Sequence, residues 1–162
     1  TEELEQAYFS ARSDLYTQWG PTLAIARAAK GNPDEHVILP DVLAVEPEVI
    51  VMRPGDDNGV DIANWTLSAL WFAEQEGITS ANVDEIKANP PSANVAKFLG
   101  VSPGMGTPLG LSDDWAFNVI KNNGNYPEIF NRTLGADSPY KMDREMTALW
   151  SDGGVLYPYV ID

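Results

Sequence analysis

The chain of 162 residues has the length of one domain and can bury a hydrophobic core. Its 24 acidic and 10 basic side chains give a net charge of -14, which disfavours nucleic acid and anionic membrane surfaces as partners. Cysteine is absent, which excludes disulfides, thiolate catalysis and cysteine-based metal sites.

The acidity has two interpretations: it keeps the chain soluble, or it attracts cationic ligands. No apolar run is long enough to span a bilayer, so we expect no membrane insertion. The opening segment TEELEQAYFSAR is acidic and amphipathic, unlike a signal peptide. If the protein is exported, we expect its signal to have been removed already.

The first elements in the chain are two helices with an extended segment between them. Leu4 and Tyr8 share one face of a first helix. The segment SDLYTQ, residues 13–18, has strand character, and Gly20 and Pro21 then begin the second helix.

Two compact apolar runs follow, HVILP at 36–40 and EVIVMR at 48–53. Both are rich in β-branched residues and are separated by polar and proline-containing sequence. This pattern predicts two buried strands.

From Pro54 onward the sequence predicts helices. Asp56 or Asp57 can cap a long helix that ends at Gly77 and is apolar around much of its circumference. Shorter helices are predicted at VDEIKAN, ANVAKFLG, WAFNVIKN, YPEIFNRTL and DREMTALW, residues 83–89, 93–100, 115–122, 126–134 and 143–150. The few predicted strands could not cover the apolar faces of so many helices.

Candidate catalytic groups are scarce. His36, the single histidine, has no serine or cysteine partner that the sequence identifies. The pairs Asp56-Asp57 and Asp113-Asp114 immediately precede helices, where capping explains them. We therefore predict a protein without enzymatic activity, catalytic residues, cofactor or metal.

Tryptophan occurs five times, and four of these residues occupy apolar positions of predicted helices. The four predicted packing residues are Trp65, Trp71, Trp115 and Trp150. Trp19 is different because it stands at a turn, directly before Gly20 and Pro21.

Five ordered segments together resemble the C-terminal part of periplasmic amino-acid-binding proteins of ABC importers, nearest the general L-amino-acid-binding type of the family 3 solute-binding proteins. The segments are ARSDLYT, HVILPDVLAVEPEVIVMRPGDDNGVDIANWTLSAL, GITSANVDEIKA, LGLSDDWAFNVIKNNGNYPEIFNR and LWSDGGVLYPYV. They cover nearly the whole chain.

The resemblance implies a helix-rich α/β fold, the C-terminal part of a type II periplasmic-binding-protein fold with a partial lobe and C-terminal helices. Such proteins have two α/β lobes joined by crossover strands and close on an amino acid. The chain is then expected to be a single domain over residues 1–162. Residues 1–20 would be the end of the second lobe and a crossover strand, and residues 21–162 the C-terminal half of the first lobe with a helical extension.

The resemblance also implies where a ligand would lie. The family carries an aspartate at the position of Trp19, and its carboxylate holds the ammonium group of the ligand. An indole could offer a cation–π contact instead. The expected ligand-binding residues are therefore Tyr16, Thr17, Gln18 and Trp19, with packing at a hinge or a dimer contact as the alternative role for them.

The expected function is that of a solute-binding component, or a truncated relative, of an amino-acid ABC import system that binds a polar L-amino acid between its lobes. The expected location is the periplasm and the expected protein partner is an ABC transporter permease. The alternative is a standalone interaction module without a cleft, which self-associates through the surface left by the missing lobe. For the isolated chain we expect a homodimer, in which elements could be exchanged.

Overall fold

The computed structural model describes residues 2–161, and Thr1 and Asp162 lie outside the described part. The chain divides into two compact units. The first unit comprises the residues up to Pro47 together with Asn131–Asp143. The second unit comprises Glu48–Phe130 and the residues from Arg144 onward. We predicted a single domain in which residues 1–20 and 21–162 belong to different lobes. The two compact units do not test that division, so it stays a prediction.

Helices dominate both units. Over the described residues the α-helices are α1 Glu2–Phe9, α2 Gly20–Ala28, α3 Asp57–Gln75, α4 Val83–Ala88, α5 Ala93–Phe98, α6 Trp115–Asn123 and α7 Tyr126–Thr133. Short 3-10 helices lie at Pro33–Glu35, Thr107–Leu109, Glu145–Thr147 and Trp150–Asp152. None of the helices found within residues 2–161 combines the length and apolar character needed to cross a membrane.

Local capping explains where several helices begin. The Asp56 carboxylate accepts a hydrogen bond from the Gly59 N–H at 2.9 Å and starts α3. Ser92 does the same for α5, where its hydroxyl accepts from the Val95 N–H at 3.2 Å. Each side chain satisfies a donor that the first turn of a helix leaves unpaired. The predicted cap at Asp56 is confirmed.

The core of the second unit forms where α3 and α4 pack against α6. Its largest fully buried side chains are Phe98, Ile78, Leu99, Ile120, Val83 and Val95. Trp115 is buried as predicted, and Trp65 lies partly buried against the same core. The prediction for Trp150 is wrong, because its side chain is 62% exposed.

A buried polar junction ties the start of α7 to the turn after α3. The Glu128 carboxylate accepts hydrogen bonds from the backbone N–H groups of Ser80 and Asn125 at 3.1 and 2.8 Å. The buried Asn125 side chain donates to the Ile78 carbonyl at 2.9 Å. The junction satisfies backbone groups that would otherwise be buried without partners.

The predicted buried strands are not formed within the described part of the chain. Over residues 2–161 the only β-bridge joins Leu149 to Leu156. Residues 37–55 make no hydrogen bonds there, and their apolar side chains are mostly exposed. A strand needs a neighbouring strand for its backbone donors and acceptors, and the described residues supply none.

The predicted α-helix at 143–150 is also wrong. Only the 3-10 turn Glu145–Thr147 forms, followed by the one at Trp150–Asp152. Glu145 has a φ of 45°, in the left-handed region that interrupts a right-handed helix. Arg144 immediately before it is bound to Glu74 of α3, so a contact distant in sequence determines the local backbone.

Asp113 has a different role from the predicted helix cap. Its carboxylate accepts hydrogen bonds from the N–H groups of Gly106 at 2.9 Å and Gly104 at 3.0 Å. The hydrogen bond from Gly106, followed by the one from Gly104, lowers the pKa of Asp113 below its ordinary value near 3.8. The segment from Gly104 to Gly106 is therefore a loop held by a carboxylate.

This arrangement predicts a pH effect on stability. Because the folded-state pKa of Asp113 is depressed, its ionised carboxylate stabilises the fold fully when the pH is above the ordinary pKa of the group. This stabilisation is lost as the pH falls through the lower, folded-state pKa. The Asp113→Asn variant should have a lower unfolding temperature at neutral pH, and its difference from the parent should shrink at acidic pH. Thermal unfolding followed across the pH range checks this, and a difference independent of pH would contradict it.

Candidate ligand-binding segment

The predicted ligand-binding residues lie in an extended segment between α1 and α2. Helix α1 ends where the Arg12 N–H donates to the Ala7 carbonyl, with Ala11 at a φ of 56°. Residues 13–18 make no backbone–backbone hydrogen bonds within residues 2–161. The Leu15 carbonyl accepts a hydrogen bond from the Ser13 hydroxyl at 2.5 Å, and the other backbone groups of these residues are available to a ligand or to another strand.

The four predicted residues have different surroundings. Tyr16 is half-buried, and its ring centre lies 5.1 Å from that of Tyr8. Burial, then the Glu5 carboxylate and then Tyr8 raise the pKa of the Tyr16 phenol, so it is neutral at ordinary pH. Thr17 is exposed, and Gln18 accepts a hydrogen bond from the Trp19 N–H at 3.0 Å.

Trp19 occupies the position directly before the first turn of α2. Its carbonyl accepts from the Leu23 N–H at 3.1 Å, but its side chain makes no capping hydrogen bond and is 43% exposed. Aspartate or asparagine is preferred at such a position because the side chain accepts from the first-turn N–H groups. Trp19 therefore leaves α2 without a side-chain cap and presents an aromatic surface beside the segment.

An aromatic cluster, formed by Tyr8, Phe9, Tyr16 and His36, packs behind the segment. Tyr8 Oη and His36 Nδ1 share a hydrogen bond at 3.0 Å. The Phe9 and His36 ring centres are 5.0 Å apart in an edge-to-face arrangement. His36 is thus held by aromatic packing, a contact that sequence could not reveal because 28 residues separate it from Tyr8.

A cation lies beside the aromatic cluster. The Lys30 ammonium group lies 4.2 Å from the centre of the Phe9 ring and 3.6 Å from Glu5. Among residues 2–161, no group of three or more histidine, aspartate or glutamate side chains is placed to hold a metal ion. Of the predicted ligand-binding residues, Tyr16 belongs to the aromatic cluster, and Thr17 and Trp19 lie at the surface.

Comparison with known proteins identifies relatives over nearly the whole chain. The chain is 48% identical over 157 residues to the general L-amino acid-binding periplasmic protein AapJ of Rhizobium johnstonii, covering 96% of this chain and 46% of that protein. It is 41% identical to the putative amino-acid ABC transporter-binding protein YhdW of Escherichia coli K12, and this match covers 97% of this chain and 46% of that protein.

A third relative is the glutamate/glutamine/aspartate/asparagine-binding protein BztA of Rhodobacter capsulatus, which is 37% identical over 155 residues. The match covers 96% of this chain and 46% of that protein. No protein-family model matches the chain. The chain spans about half the length of the curated relatives that it matches.

A solved structure shows the same fold. It is an ABC transporter periplasmic binding protein from Brucella ovis with glutathione bound, 42% identical, with a TM-score of 0.86. The match covers 99% of this chain and 50% of that one. The predicted fold class and family resemblance are confirmed. In sequence and in fold, the chain matches a C-terminal portion of the periplasmic amino-acid-binding proteins of ABC transporters.

Proposed function

We propose that this chain supplies part of the binding site of a periplasmic component of an amino-acid ABC import system. The observation that carries the proposal is the match over 99% of the chain, at a TM-score of 0.86, to a periplasmic binding protein with glutathione bound. A polar L-amino acid is bound between two lobes, and an ABC transporter permease is the protein partner. Tyr16, Thr17, Gln18 and Trp19 face the ligand.

The local chemistry of the segment supports these roles. Thr17 offers an exposed hydroxyl, and apart from the Leu15 carbonyl the backbone groups of residues 13–18 make no hydrogen bonds within the described chain. The neutral phenol of Tyr16 packs on Tyr8 and keeps this part of the segment ordered. Trp19 presents an indole face to a ligand ammonium group, which favours a cation–π contact.

Calorimetric titration tests the proposal. The chain is titrated with acidic, amidic, basic and aliphatic L-amino acids, first alone and then after mixing with the half of AapJ that this chain does not match. We expect heat of binding for a polar amino acid in the mixture, because the second lobe completes the site. Absence of heat from a mixture in which the two polypeptides co-elute would contradict the proposal.

Two substitutions isolate the role of Trp19. Aspartate and asparagine both cap α2, but only aspartate pairs with an ammonium group. In the mixture, Trp19→Asp should bind the amino acid about tenfold more tightly than Trp19→Asn, since a charge-assisted hydrogen bond adds roughly 1.4 kcal/mol or more. Equal affinities would show that position 19 does not face the ammonium group.

Self-association of the isolated chain is a separate prediction. Residues 36–53 comprise the two apolar runs and the segment between them. They carry eight apolar side chains that are each more than half exposed: Val37, Leu39, Val42, Leu43, Val45, Val49, Ile50 and Val51. Their backbone is also without hydrogen bonds in the described part of the chain. Exposed apolar runs with free backbone groups associate readily.

Light scattering at micromolar concentration should therefore give the mass of a dimer. The exposed apolar side chains of residues 36–53 lie on extended backbone. Replacing two of them, with Leu43→Lys and Val51→Lys together, should therefore shift the mass toward the monomer. A monomeric mass for the parent chain would contradict the prediction. The comparisons name binding proteins and give no support to a standalone module without a cleft.

A further inference from the structure

A groove in the second unit has a lining that none of the proposed roles uses. Its volume is about 520 Å³, within the range of roughly 300–1,000 Å³ typical of small-molecule sites. The C-terminal end of α3 and the start of α5 form one side, and the chain from Trp150 to Ile161 forms the other. The residues that matter here are Phe72, Glu76, Asn94, Trp150, Tyr157 and Tyr159.

Two aromatic side chains of the groove have no aromatic neighbour. Trp150 and Tyr157 are 62% and 65% exposed, and neither makes a ring contact with another aromatic residue of the described chain. By contrast, Tyr159 packs edge-to-face on Trp65, with ring centres 5.2 Å apart. Because both side chains line one groove, they form a candidate contact surface for a ligand.

The backbone that carries these rings is held in place. The Trp150 N–H donates to the Leu156 carbonyl at 2.8 Å. Between them, a β-carbon at Gly154 would lie 1.9 Å from the Ala148 carbonyl oxygen, so only glycine permits this close turn. Beyond the turn, the Tyr159 N–H donates to the Ser68 hydroxyl at 2.7 Å. The backbone that carries Trp150, Tyr157 and Tyr159 is therefore held in place without a ligand.

Among the described residues, the groove lining includes one carboxylate and no cation. Glu76 accepts a long hydrogen bond of 3.4 Å from Gln75, and no lysine or arginine of the described chain lies within ion-pair distance of it. The neighbouring Glu74 differs, because Arg144 neutralises it. An unneutralised carboxylate beside free aromatic faces attracts a positive charge.

We propose that this groove binds a small organic cation, an alkylammonium or quaternary ammonium compound. Trp150 and Tyr157 provide cation–π contacts, Glu76 provides the counter-charge, and Asn94 provides a neutral polar group at the rim. The net charge of -14 raises the local concentration of such a ligand. The groove residues belong to the second unit, whereas Tyr16–Trp19 belong to the first, and the proposal does not rest on the amino-acid-binding role.

Titration with choline tests the site against 3,3-dimethylbutan-1-ol, which has nearly the same shape but no charge. The full chain should bind choline with a dissociation constant at or below about 1 mM, and about tenfold more tightly than the neutral alcohol. In two-dimensional NMR spectra, choline should shift the Trp150 indole N–H signal, which the Trp150→Phe variant identifies. This signal reports the site directly, whatever happens in the first unit.

Matched variants separate the contributions. Trp150→Leu keeps apolar bulk without a π face and should weaken choline binding about tenfold, whereas Trp150→Phe should retain most of it. Glu76→Gln should weaken binding about fivefold or more, while Glu85→Gln on the exposed surface of α4 should leave it unchanged. The three side chains are all exposed, so the fold should survive each of the four changes.

Three results would overturn the proposal. Equal affinity for choline and the neutral alcohol would reduce the groove to an apolar surface. An unchanged affinity in Trp150→Leu or in Glu76→Gln would place the cation elsewhere. Binding of an oligolysine peptide to the groove without binding of choline would assign it to a protein partner instead.

Discussion

Replacing Arg144 by methionine should lower the free energy of unfolding of the second unit by about 3 kcal/mol. The guanidinium forms a two-pronged ion pair with Glu74, and the side chains are only 17% and 11% exposed. The same group donates to the Thr147 carbonyl at 2.6 Å and lies 4.9 Å from the centre of the Tyr126 ring. Methionine would leave the Glu74 carboxylate buried without its partner, which causes most of the loss.

Urea unfolding followed by tryptophan fluorescence measures this effect, because four of the five tryptophans belong to the second unit. The control is the double variant Glu74→Leu with Arg144→Met. It removes both charges and should recover most of the lost stability, since an apolar pair has no desolvation cost. A loss below about 1 kcal/mol in the single variant would show that the pair behaves as an exposed one.

Replacing Phe98 by alanine should cost about 3–5 kcal/mol of unfolding free energy. The Phe98 side chain is 0% exposed, and its ring centre lies 4.7 Å from that of Phe72 in α3. Truncation removes the buried ring and leaves a cavity between α3 and α5 that the packed neighbours Leu99 and Val95 cannot fill.

The same urea experiment applies, with Val101→Ala as the control. Val101 is 51% exposed and lies just beyond the end of α5, so its truncation should change stability by about 0.5 kcal/mol or less. The comparison matters because a similar loss in both variants would mean that α5 does not pack as described. A loss well below about 2 kcal/mol for Phe98→Ala would mean that the core closes over the cavity.

The helices were largely predictable because their starting and ending signals lie within a few residues of one another. The caps at Asp56 and Ser92 act three residues along the chain, and Gly77 ends α3 with a φ of 66°. Such contacts form in any chain that contains the pattern. The resemblance of five segments to periplasmic amino-acid-binding proteins was likewise confirmed by relatives that match nearly the whole chain.

The errors fall where distant residues decide the outcome. The apolar run at 48–53 is a good strand sequence, but a strand forms only against a neighbour, and the described residues offer none. Residues 143–150 are helical by pattern, yet the pairing of Arg144 with Glu74 and the left-handed Glu145 interrupt the helix. Trp150 has an apolar side chain, and only the fold shows that it stands at the rim of a groove.

Some features of the candidate ligand site were likewise predictable from the sequence, and others were not. The family resemblance indicated residues 16–19 as the binding segment, and the structure shows extended backbone over residues 16–18, followed by Trp19 at the start of α2. The binding of an amino acid by those residues stays a prediction. The packing of Tyr16 and His36 around Tyr8 was not predictable, because it joins three separate segments.

By itself the sequence determined most of the helices, the cap at Asp56, the acidic charge and the family resemblance, because each depends on residue types and on spacings of a few positions. Only the tertiary structure decided which carboxylates bind which partners: Asp113 holds a glycine loop, Glu74 binds Arg144, and Glu76 lines a groove with Trp150 and Tyr157. The reason is physical. Burial, ion pairing and strand pairing depend on distances between segments far apart in the chain, and folding alone sets those distances.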